Sequence, residues 1–210
     1  MPRLTAIRRQ ALDEVMKEAI FEATISALSE HGVEGLTMDR VALAAGVAKG
    51  SLYNYFRSKK SLLEFVYMKT IDPAFQDLEA VVASDRTARE KLATHLRWIL
   101  EHVAKHAQVF RVLFRDDTAQ GLLQSSERSA REMCGQYLAK IFDQGICEGV
   151  FRPADPLLLG RMFLGLCMGV FDSHPELERT DVREEIYRLI MDMFLDGIVT
   201  EKGRAGRRTA

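Results

Sequence analysis

The chain has 210 residues, 47% of them hydrophobic and 28% charged, with a formal net charge of −1. This is a globular balance that excludes a disordered chain, and the near-neutral total excludes a protein that coats nucleic acid over its whole surface. An acidic partner must therefore be met by a local basic patch.

The three cysteines, Cys134, Cys147 and Cys167, show no CxxC or Cys/His ligand spacing. That pattern points to a reducing cytoplasm and to small buried hydrophobes rather than to a disulfide framework, with a redox-sensing thiol as the alternative. The start MPRLTAIRRQ has charge but no apolar segment behind it, so no signal peptide is expected. The most apolar stretch, PLLLGRMFLGLCMGVF, is shorter than a membrane span and carries Arg161. A cytoplasmic protein without a membrane partner is expected.

Apolar residues recur at helical spacing along the whole chain, which predicts an all-α fold. The first helix is expected from about Asp13 to His31, with Val15, Ala19, Ala23, Ala27 and Leu28 inward and Gly32 as a left-handed stop. Thr37 is a start signal for MDRVALAA, a short helix that ends at Gly46. A third helix is predicted over Lys49–Tyr55, and Ser58 is placed to cap a fourth that reaches across a boundary near Asp72. Further helices are predicted from about Ala74 to Val82, Ala88 to Lys105, Gln108 to Thr118, Ser126 to Glu148, Pro156 to Phe171 and Asp181 to Ile198. The expected domains are residues 1–72, 73–200 and a basic disordered tail, 201–210.

The stretch AAGVAKGSLYNYF interrupts helical logic at Gly46 and Gly50. Two short helices joined by a tight glycine turn are the geometry of a helix-turn-helix. Val41, Ala42, Val47, Leu52 and Phe56 can form one small core, which leaves Gly50, Tyr53 and Asn54 outward with Lys49 and Ser51 at the flanks. Between Ala48 and Ser61 stand Lys49, Arg57, Lys59 and Lys60 and no acidic residue. Lys59 and Lys60 open a helix, where the macrodipole disfavours cations, and a docked phosphate would reverse that sign. A solvated basic turn is the alternative.

At these residues the chain resembles the TetR family of bacterial transcriptional regulators. The resemblance lies in LTMDRVALAAGVAKGSLYNYFRSKKSLLEFV, Leu36 to Val66, roughly the first third of the chain with the helix before it. It implies an N-terminal three-helix DNA-binding domain and a C-terminal helical domain for ligand binding and dimerisation. It also implies phosphate contacts from Thr37, Tyr53, Tyr55 and Lys59, with Lys49, Gly50, Ser51 and Asn54 at or near base edges. Lysine can donate to guanine, and asparagine offers the paired donor and acceptor that suit adenine. Ala48 departs from the pattern, because it stands where a capping Ser or Thr is usual.

One helix-turn-helix reads few base pairs, so a homodimer on a palindromic operator in double-stranded DNA is expected. Leu159, Met162, Phe163, Leu166 and Val170, with Ile186, Leu189, Ile190, Met193 and Phe194, are the expected dimer face, and Gly165 and Gly169 permit close approach. Plain monomer core is the alternative. For a small-molecule effector, His95, Trp98, His102, Phe110, Phe114, Met133 and Tyr137 are candidate lining residues in an apolar middle region. His95, His102 and His106 share a helical face. They admit a ligand contact, a metal, or surface and core roles, and neither a metal nor a cofactor is assigned.

The reading is a ligand-responsive DNA-binding repressor rather than an enzyme. The enzymatic alternative, with His95 or His102 as a base, lacks a nucleophile elbow, phosphate loop, carboxylate pair or metal cluster.

Overall fold

The computed structural model describes residues 2–173, 175–195 and 197. The expected tail, 201–210, and Ile198, the expected end of the last helix, lie outside these residues. The fold is all-α, as the periodicity predicts. Among the described residues the helices are α1 (Pro2–Gly35), α2 (Met38–Ala44), α3 (Lys49–Tyr55), α4 (Lys59–Ala83), α5 (Ala88–Lys105), α6 (Ala107–Arg115), α7 (Asp117–Cys147), α8 (Pro156–Ser173) and α9 (Thr180–Ile190). A 3₁₀ turn, Pro175–Glu178, precedes α9, and a π-helical turn, Met191–Leu195, prolongs it. The chain divides into two compact units. One holds the residues up to Thr70 with Gln108–Gln124, and the other holds Ile71–Ala107 with the residues from Ser125 onward.

In the first unit, α1 buries Ile20, Ala23, Ala27 and Leu28, while Val15, expected inside, stands off that stripe and is exposed. The helix starts at Pro2, well before Asp13. Gly32 breaks it at φ 65°, ψ −176°, a region essentially confined to glycine, so the helix stops where expected and a further short helical segment follows to Gly35. The buried hydroxyl of Thr24 is satisfied by donating to the Ile20 carbonyl at 2.7 Å. Ser58 accepts from the Ser61 amide at 3.2 Å, so α4 has the cap that its sequence predicts.

Two expected breaks are absent. α4 runs through Pro73, and the separate helix over Ala74–Val82 is its second half. Proline there forfeits one backbone hydrogen bond, but Ile71, Leu78 and Val81 continue a buried stripe on either side of it. α7 begins at Asp117 rather than Ser126, because the Asp116 carboxylate accepts from the Ala119 amide at 2.9 Å and Ala119 and Leu123 are buried. α5 has the predicted bounds and a reciprocal cap. Thr87 Oγ1 accepts from the Glu90 amide, and the Glu90 carboxylate accepts from the Thr87 amide at 2.9 Å.

The second unit is centred on Phe142, whose ring lies 5.9 Å from Phe151, 6.2 Å from Phe163 and 5.7 Å from Phe194. Lys91 is buried with its ammonium satisfied, donating to the Val82 carbonyl and to Gln144 Oε1, each at 2.8 Å. α7 and α8 meet at glycines, and a Cβ on Gly160 would stand 2.8 Å from the Gly135 carbonyl oxygen. Gly160→Ala is therefore expected to cost about 1–3 kcal/mol by forcing the helices apart. Gly121→Ala, where an added Cβ meets nothing within 4 Å, is expected to gain up to about 1 kcal/mol from helix propensity. Urea unfolding midpoints should rank the two variants on opposite sides of the parent.

Candidate nucleic-acid interface

The site is built on α2 and α3. Thr37 is extended, at φ −124° and ψ 149°, and its Oγ1 accepts from the Arg40 amide at 3.2 Å, which starts α2. Gly46, at φ 66°, makes the left-handed turn between the helices. Ala48 then opens α3 with no side-chain cap, as its sequence predicts. Val41, Ala42, Leu52 and Phe56 are buried and Val47 half-buried, and the Phe56 ring lies 4.8 Å from Phe65 on α4.

With Leu52 and Phe56 inward, α3 turns Lys49, Gly50, Tyr53 and Asn54 to solvent, and Ser51 is half-buried. A Cβ on Gly50 would meet nothing within 4 Å, so the backbone there is open to close approach. Thr37 is exposed at the start of α2.

The polar groups of this surface have intramolecular partners that local spacing does not reveal. Lys49 Nζ pairs with Asp39 on α2, 2.6 Å from Oδ1, and the carboxylate holds the ammonium pKa above its ordinary value. Both side chains are exposed, so the pair is weakly held and screened by salt. The Tyr55 hydroxyl donates to Asp13 Oδ1 of α1 at 2.7 Å, which raises the phenol pKa. Lys59 Nζ donates to the Val33 carbonyl, and Arg40 Nη1 donates to the Gly35 carbonyl at 2.7 Å. Both carbonyls lie near the C-terminal end of α1, a favourable place for positive charge, and the Val33 carbonyl also accepts from the Leu36 amide at 3.2 Å. Asp39 is legible as a first-turn acid of α2, but its pairing with Lys49 spans the turn. Asp13 carries no sequence signal linking it to Tyr55.

The ligand-lining candidates divide between the units. Phe110 and Phe114 belong to the first, stacked 5.4 Å apart, with Phe114 5.7 Å from Tyr67. His95, Trp98, His102, Met133 and Tyr137 belong to the second. His95 is buried with Nδ1 2.8 Å from the Asp77 carboxylate, Trp98 stacks on His102 at 4.7 Å, and Met133 is exposed. Tyr137 is half-buried, with the Lys140 ammonium 4.8 Å from its ring centre. Among the described residues no group of three or more His, Cys, Asp or Glu side chains is placed to hold a metal ion. Burial pushes the Cys134 and Cys167 thiols up to about 12, so both are inert at neutral pH, while Cys147 is exposed.

The expected dimer face also divides. Leu159, Phe163, Ile186 and Ile190 are buried within the chain's own core, Phe163 against Phe142, and Val170 and Phe194 are half-buried. Met162, Leu166, Leu189 and Met193 are exposed, as is Leu158, which the sequence reading omitted. Gly165 and Gly169 lie open on α8.

Comparison with known proteins gives the class. Residues 20–66 match the model of the bacterial regulatory proteins of the tetR family, and residues 85–198 match the tetracyclin repressor-like C-terminal domain. The chain belongs to the TetR family. It is a DNA-binding transcriptional regulator, not an enzyme. It is 26% identical to the HTH-type transcriptional regulator YhgD of Bacillus subtilis over 79% of this chain and 90% of that one. It is 30% identical to the transcriptional repressor KstR2 of Mycobacterium tuberculosis over 64% of this chain and 68% of that one. The KstR2 structure, titled a ketosteroid transcriptional regulator, superposes with a TM-score of 0.66 and 25% identity over 88% of this chain and 95% of that one. The complex of SmeT, a repressor from Stenotrophomonas maltophilia, with triclosan gives a TM-score of 0.75 at 21% identity, covering 89% and 92%, and shows the shared fold. No helix among the described residues is long and apolar enough to cross a membrane.

The uncapped start of α3 has a direct consequence. Ala48→Ser supplies a hydroxyl for the free amides of α3, where φ −65° and ψ 141° already suit a capping residue. It is expected to stabilise the protein by about 0.5–2 kcal/mol, read as a raised thermal midpoint.

Proposed function

We propose that two copies of this chain bind a palindromic operator through α2 and α3, and that a small apolar or amphipathic effector releases them. The observation that carries this reading is the composition of the exposed face of α3. Lys49, Tyr53 and Asn54 surround the open backbone of Gly50, above a buried Leu52 and Phe56. Lys49 and Asn54 read base edges, and Thr37 and Tyr53 contact phosphates. Tyr55 can donate to a phosphate only by giving up Asp13, whereas Lys59 has three N–H donors and can contact a phosphate while keeping its bond to Val33.

Self-association through α8 and the π turn is supported by the exposed Leu158, Met162, Leu166, Leu189 and Met193, a cluster that a lone monomer would leave in water. The named ligands and roles of the relatives, ketosteroid for KstR2 and triclosan for SmeT, favour an apolar effector. The effector acts by binding the DNA-incompetent state more tightly than the competent one.

The test is a duplex selected by the protein from a random pool. Asn54→Ala is expected to relax preference at particular base pairs by about 1–3 kcal/mol each. Tyr53→Phe should weaken all duplexes alike. If Asn54→Ala leaves both preference and affinity unchanged, α3 does not read bases in this way.

A further inference from the structure

Residues 7–12 of α1 are helical yet exposed, with Ile7 59% and Leu12 62% accessible, so little burial supports this stretch. Between Pro2 and Leu12 the chain has Arg3, Arg8 and Arg9 and no acidic residue. The segment precedes residue 20, where the family match begins. Directly after it, Asp13 accepts from the hydroxyl of Tyr55, the last residue of α3. Arg9 lies one turn before Asp13 on the same face of α1. No hydrogen bond or ion pair engages Arg9 among the described residues.

We propose that the first turns of α1 form a backbone-contacting arm, in which Arg9, set beside the end of α3 by the Asp13–Tyr55 bond, binds a DNA phosphate next to the groove that α3 reads. The Asp13 hydrogen bond raises the Tyr55 phenol pKa, and the Arg9 charge nearby opposes that rise in small part. An arginine is suited to this role, since its fork can hold two phosphate oxygens at once and its charge does not titrate. Arg8, one residue away, is turned by about 100° toward the flank of the exposed Ile7 and Val15. The arm adds affinity and register without reading sequence.

This inference rests on the assignment of α2 and α3 as the DNA-reading element, and the test separates the two. The slope of log binding constant against log salt is measured for the parent, Arg9→Ala, Arg9→Lys and Arg8→Ala. The probes are the pool-selected duplex and an unrelated duplex of equal length. Arg9→Ala should reduce the slope by about 0.9 for each protomer bound, on both duplexes, while leaving the preferred sequence intact. Arg9→Lys should keep the slope, and Arg8→Ala should reduce it less. An unchanged slope for Arg9→Ala overturns the arm, as does an equal loss in Arg8→Ala, which would mark a general charge effect. Parent protein without salt-dependent duplex binding would sink the reading element and the arm together.

Discussion

Everything that α3 can do depends on the burial of Leu52 and Phe56. A helix of seven residues is far too short to persist alone in water, and this one begins at Ala48 without a cap. Burying two large apolar side chains contributes roughly 1.5–3 kcal/mol each, more than the missing cap costs. Packing against Val41, Ala42 and the Phe65 ring thus fixes both the existence of α3 and its rotation. Once positions 52 and 56 are inward, positions 49, 50, 53 and 54 have only one direction to face.

Electrostatics then adjusts what that face presents. Lys49 rests on Asp39 in an exposed pair that solvent and salt weaken, so a stronger anion or a guanine edge can compete for it. Lys59 and Arg40 each donate to a carbonyl near the end of α1, beyond Gly32. Within the basic run between Ala48 and Ser61, Lys49 is held by an exposed carboxylate, while Lys59 is tied to the end of α1. The sequence shows them as a single cluster, because the carbonyl partner of Lys59 leaves no mark in side-chain composition.

Local codes explain how much could be read in advance. The bounds of α3 and α5, the caps at Thr37 and Ser58, the turn at Gly46 and the uncapped Ala48 all depend on residues within one turn of each other. What local codes do not show has a common origin in long-range burial. Pro73 stops an isolated helix but not α4, whose apolar stripe continues past it. Phe163 and Ile190 look like an apolar face in a helical wheel, and only the position of Phe142 distinguishes core from surface. The same holds for His95, whose partner Asp77 lies on a different helix.

The account's central claim is that one buried core aims α3 at the major groove, and that two such helices act together. Hydroxyl-radical footprinting on the duplex selected from a random pool tests this most directly. The account predicts two protected patches related by a dyad, with centres about one helical turn, 34–36 Å, apart. A single patch, or even protection without a dyad, would contradict it.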